Sequence, residues 1–238
     1  MEYYRYFDLF LSIEDELAGY MRQLQFSSKT ESLYSPRISL LLLQTCPVIE
    51  SYMAQLSTRS DMVRNHLLYS WEDAYSLWDS DKGKIKEKAG FRSIRDFPKF
   101  AYVVEKVFGL SSMHCRFYYS ERFQKIDGDA HFRDVNPFGT LVKFDDFVGL
   151  GLEKGDRFPT GLDTPDWWTA YNKIKHDMDE AEKRVTYKTA IEALGALFVL
   201  LANCGTDHQM LQNNSFITDG RIKTKLFSSG TSQHGEAQ

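Results

Sequence analysis

Two stretches of this chain are too apolar to lie along a protein surface and too short to cross a bilayer, and they decide most of what it can fold into. Leu40-Leu41-Leu42-Leu43 continues through Val48, Ile49, Tyr52, Met53 and Leu56, and Tyr187 leads through Ile191, Leu194, Leu197, Phe198, Leu200 and Leu201. Neither holds the roughly 18 consecutive apolar residues of a membrane span, so no membrane association is expected. A helix that is apolar on most faces must be surrounded by other elements. The spacing therefore predicts two core helices. One covers 37–56 with a kink or break at Pro47, which lacks the N–H that the helical ladder needs. The other runs from Tyr187 to a stop near Gly205.

Amphipathic patterns supply what surrounds them. Phe7, Phe10, Leu11, Glu14, Leu17, Ala18, Met21 and Leu24 recur with a period near 3.6, predicting a helix over 7–25. A third helical pattern covers 61–78. Asp96-Phe97-Pro98 opens a helix through Phe100, Val104 and Phe108, with Gly109 as its stop. Glycine and proline then dominate 127–161, breaking any helical period, and Thr140-Leu141-Val142-Lys143-Phe144 is a short strand candidate there. Thr164-Pro165-Asp166 has the residues of a helix start, and the helix it opens extends to about Lys183. Ser215–Thr218 and Arg221–Thr224 flank Asp219-Gly220, the dipeptide of a tight hairpin turn, and a flexible tail is expected from Ser228 to Gln238. The fold class is mainly α: a helical bundle with an irregular or partly β insertion and a small C-terminal hairpin. The expected organisation is a single domain over 1–212, including the insertion at about 127–162, followed by hairpin and tail over 213–238.

Composition narrows the function classes. Hydrophobic residues make up 42%, aromatics 14% and charged residues 26%, values of an ordinary globular protein rather than a fibrous, disordered or disulfide-scaffold chain. The formal charge of -4 provides no broad cationic field for nucleic acid or anionic membrane, so any basic surface is local. One local surface stands out between residues 82 and 99. There Lys82, Lys84, Lys86, Lys88, Arg92, Arg95 and Lys99 face only Glu87 and Asp96 in sequence. Lys84, Lys86, Lys88, Arg92 and Arg95 are nucleic-acid-binding candidates, with Phe91 and Phe97 available to stack on bases. A solvated basic face is the competing explanation. Cys46, Cys115 and Cys204 are odd in number and widely spaced, and the first residues carry no basic segment followed by an apolar one. Both features predict a reduced cytoplasmic protein. No Gly-x-Gly-x-x-Gly, phosphate-binding lysine loop or Gly-x-Ser-x-Gly elbow occurs, and no cofactor or metal is expected. Asp127, Asp129 and His131 alternate in a way that would suit a divalent cation on an extended segment, but Gly128 suits a surface turn equally.

The most specific constellation lies in the helix that starts near Thr164, as Trp167-Trp168-x-x-Tyr171-Asn172-x-x-Lys175-His176. At 100° per residue, Trp167, Tyr171 and Ile174 share an apolar face, and Trp168, Asn172, Lys175 and His176 share its edge. Asn172 and His176 are one turn apart, so an amide or carbonyl can hold one ring nitrogen while the other faces a ligand. Lys175 adds a positive charge able to bind phosphate.

The helix pair over 163–203 resembles the HEPN superfamily of small helical-bundle domains, whose signature is an Arg, usually followed by a polar residue, and a His a few residues later. Asn172 and His176 match the polar residue and the His, while Tyr171 stands where the family has its Arg. The resemblance implies a homodimer that associates with RNA or nucleotides in a defence or toxin-antitoxin setting. If the chain is an enzyme, it implies a metal-independent endoribonuclease with a degenerate site. In that reading His176 is the central acid or base, Asn172 orients it, and Lys175, Trp168 and Tyr171 contact the ligand. The alternative is a non-enzymatic helical module for a protein partner, in which Trp167, Trp168 and Tyr171 build a core or an interface.

Overall fold

A computed structural model of the 238-residue chain describes residues 2–58, 78–79, 84–85, 97, 101, 104–105, 108–119, 132–141, 164–176, 183–204, 217–218 and 221–229. In chain order the elements are α1 (Glu2–Gln23), α2 (Pro36–Thr58), β1 (Trp78–Asp79), β2 (Lys84–Ile85), β3 (Cys115–Tyr118), β4 (Phe132–Val135), α3 (Asp166–His176), α4 (Tyr187–Asn203), β5 (Ile217–Thr218), β6 (Arg221–Ile222) and β7 (Phe227–Ser229). A 3₁₀ turn covers Leu110–Ser112. The fold is mainly α with a small antiparallel sheet. No described helix is long and apolar enough to cross a membrane.

Tertiary contacts divide the chain into two units interleaved along the sequence: Met1–Val48 with Met113–Pro137 and Asp166–Gln238, and Ile49–Ser112 with Phe138–Pro165. In the first unit α4 is the centre. Of its residues, Lys188, Glu192 and Asn203 alone escape full burial. Its start is fixed by a capping box in which Thr189 N–H donates to Thr186 Oγ1 (3.2 Å) and Thr186 N–H donates to Thr189 Oγ1 (2.9 Å). The next orphan donors go to the loop after α1: Tyr187 N–H reaches Leu33 O and Lys188 N–H reaches Glu31 O, both at 2.9 Å. α4 packs on α1, on α3 and on the inner face of the sheet.

That sheet has the order β4-β3-β7, all antiparallel, with Cys115 opposite Val135 on one side and Ser229 on the other. Burial alternates along β3: Cys115 and Phe117 face inward, while Arg116 and Tyr118 are half-buried. Gly195 lets the sheet approach α4, because a Cβ there would lie 3.3 Å from Cys115 Sγ, 3.4 Å from Val135 Cγ1 and 3.5 Å from Phe227 Cε1. Phe227 sits among Phe10, Phe117 and Phe198, with ring centroids 6.1, 5.4 and 5.7 Å away. Rings at such distances add to their own burial.

The α1 stripe is buried as its period predicts, including Glu14. The Glu14 carboxylate accepts from Thr224 Oγ1–H (2.5 Å), Leu226 N–H (2.8 Å) and Lys225 N–H (3.2 Å), and so holds the turn between β6 and β7 against α1. Its neighbour Asp15 pairs with Lys225. Burial raises the Glu14 carboxyl above its ordinary range, and these donors oppose that shift in part.

Four sequence expectations need correction. α2 is not broken at Pro47. Ser35 caps it by accepting Ile38 N–H, and Pro36 occupies the first turn. Pro47 and Leu43, whose carbonyl loses its partner there, both lie on the exposed side of the helix, where water can replace the lost bond. Trp78, expected to end a helix, pairs instead with Ile85 across β1 and β2. Thr140 belongs to a turn rather than a strand, and the insertion's strand is β4, eight residues earlier at its start. Ser228 and Ser229, expected in a flexible tail, form β7, and Ser228 is fully buried. The hairpin does form, with Ile217 opposite Ile222 and Thr218 opposite Arg221.

In the second unit Ile49, Tyr52, Met53, Leu56, Phe97, Ala101 and Val104 are buried. Gly109 is the helix stop that the sequence predicts, with φ +65° and its N–H donating to Glu105 O at 2.7 Å. The buried Glu105 carboxylate then takes Ser111 N–H (2.6 Å) and Ser111 Oγ–H (2.7 Å). The pattern over 61–77 lies outside the described residues.

Candidate functional site

α3 carries the candidate residues. Its charges follow the helix dipole, with Asp166 in the first turn and Lys173, Lys175 and His176 in the last. Helical φ/ψ begins at Asp166, after Thr164 and Pro165. Helical structure is found again at Lys183 and Arg184; residues 177–182 lie outside the described set.

The aromatic residues of the motif are core. Trp167 is 1% exposed, and its indole N–H donates to Pro137 O at 2.8 Å, which ties α3 to the end of β4. Trp168 and Tyr171 are each 5% exposed, with ring centroids 5.0 Å apart. Trp167 meets Trp168 edge-on at 6.1 Å. These rings satisfy the apolar face of an eleven-residue helix that would be marginal alone. Tyr171 offers no cation and is turned into the fold.

The polar edge is placed differently. Asn172 is half-buried, and Lys175 and His176 are exposed. At 1.5 Å rise per residue, Asn172 and His176 are separated by about 6 Å along the axis and share one side with Lys175. The Lys175 ammonium lies 4.9 Å from the centroid of the Tyr171 ring, a contact that favours this placement of the charge by about 0.5–1 kcal/mol. The chain thus brings an exposed cation and an exposed imidazole to the end of one helix.

Other charges of this unit are engaged elsewhere. Arg133 pairs with Glu31 at 2.7 Å, and Lys188 lies 3.6 Å from Glu192. Burial raises the Glu192 carboxyl, against the pull of Lys188 and Arg133. All three cysteines are buried and free, and burial pushes the thiols of Cys115 and Cys204 well above the usual range, the opposite of a nucleophile's environment. Among the described residues no cluster of three or more His, Cys, Asp or Glu could hold a metal ion.

Lys84 stands in β2, paired in register with Asp79. Lys86, Lys88, Arg92 and Arg95 lie outside the described residues, as do Asp127, Asp129 and His131. Sequence reasoning placed Glu14 on an apolar stripe without drawing the consequence. A carboxylate on a buried face needs donors from another element, and that was the available signal for the turn at 224–226. No protein-family model, curated protein or solved structure matches this chain.

Proposed function

We propose that this chain is a HEPN-like helical protein that associates with RNA or nucleotides in the cytoplasm as a homodimer, in a defence or toxin-antitoxin setting, with a degenerate site. The observation that carries the reading is the exposure of His176 beside a Lys175 ammonium held over Tyr171. Phosphate recognition needs accessible positive charge, and proton transfer at a ribose 2′-OH needs an accessible imidazole. Lys175 supplies a point charge but not the bidentate fork of an arginine, and Tyr171 supplies no charge. Binding is therefore expected to outlast catalysis.

The test uses purified protein with labelled single-stranded RNA in EDTA, alongside His176→Ala and Lys175→Ala. The wild type should bind RNA, and Lys175→Ala should weaken binding severalfold. Cleavage that vanishes in His176→Ala would make the site catalytic as well. RNA binding that is absent at low salt, or that is the same in both variants as in the wild type, overturns the proposal. A non-enzymatic interaction module is the second reading, favoured by Leu40 and Leu43 of α2, which are 56% and 37% exposed.

A further inference from the structure

We draw no further inference here: the strongest candidate, the exposed apolar side of α2 along Pro36, Leu40, Leu43 and Pro47, carries nothing, because nothing in the structure shows what covers it.

Discussion

Gly195→Ala sets two opposing effects against each other at a position where the structure supplies the distances. Alanine in place of glycine inside a helix is worth about 0.8–1 kcal/mol, and burying the methyl adds roughly 0.8 kcal/mol. Against this, the new Cβ would meet Cys115 Sγ at 3.3 Å, Val135 Cγ1 at 3.4 Å and Phe227 Cε1 at 3.5 Å. Carbon contacts prefer about 3.5–4.0 Å. The three neighbours belong to β3, β4 and β7, adjacent strands of one sheet, so the helix cannot relieve one contact by sliding toward another. Only the Sγ contact is tighter than ordinary packing, and Cys115 is fully buried in the central strand with little room to give; overpacking of this kind costs about 1–3 kcal/mol. Set against the roughly 1.7 kcal/mol gained, the upper part of that range gives a net loss of up to about 1 kcal/mol, measured by urea unfolding with far-UV circular dichroism. Cys115→Ala removes the nearest atom, and in that background Gly195→Ala should become neutral or stabilising, a favourable coupling of at least about 1 kcal/mol between contacting sites. A stabilising effect of Gly195→Ala in the wild-type background would refute the close-approach argument, and so would additivity within about 0.5 kcal/mol.

Glu14 gives a pH test. Its carboxyl is raised on folding, so the folded chain holds that proton more tightly than the unfolded chain. The corresponding stability is present below the ordinary carboxyl range and is lost as pH rises through the raised folded-state value. Glu14→Gln carries no charge to bury, so its stability relative to wild type should improve between about pH 4 and about pH 8 by urea unfolding; a flat difference would contradict burial as the cause. Trp167→Phe keeps an aromatic ring but leaves Pro137 O without its buried donor, and should cost about 2–3 kcal/mol. A loss under about 0.5 kcal/mol would mean that water or another donor replaces the indole.

What the sequence disclosed and what it concealed differ by range of interaction. The helices of 7–25, 37–56 and 187–203 were legible because periodicity is a local signal, repeated every turn and reinforced by one buried face. Gly109 was legible as a stop because its backbone role follows from its own lack of a Cβ. The sheet was not, because β3, β4 and β7 are each three or four residues long and β7 joins β3 from about a hundred residues further along the chain. Ser228 illustrates the limit: a serine in a Ser-, Gly- and Thr-rich stretch reads as tail, yet it pairs in register with Arg116 and its hydroxyl shares a 3.1 Å hydrogen bond with the Tyr118 hydroxyl. Its burial is dictated by Glu14, which anchors the preceding turn from the far end of the chain.

The same distinction decides how the α3 motif can be tested. The HEPN resemblance makes Tyr171 and Trp168 ligand contacts, while their spacing from Trp167 and Ile174 equally suits a core, and both side chains are buried. Functional content then rests on Lys175 and His176. These sit at a helix C-terminus, where cations are favoured by about 0.3–1 kcal/mol whether or not a ligand binds. A stability measurement therefore cannot separate a phosphate-binding Lys175 from a dipole-capping one, since removing it lowers stability slightly in both cases. The dependence of RNA affinity on salt can. A lysine that neutralises a phosphate displaces condensed counterions, so its loss should reduce the slope of log affinity against log salt by about 0.7 for a single strand. A lysine that only complements the helix leaves that slope unchanged, however much its removal lowers the melting temperature.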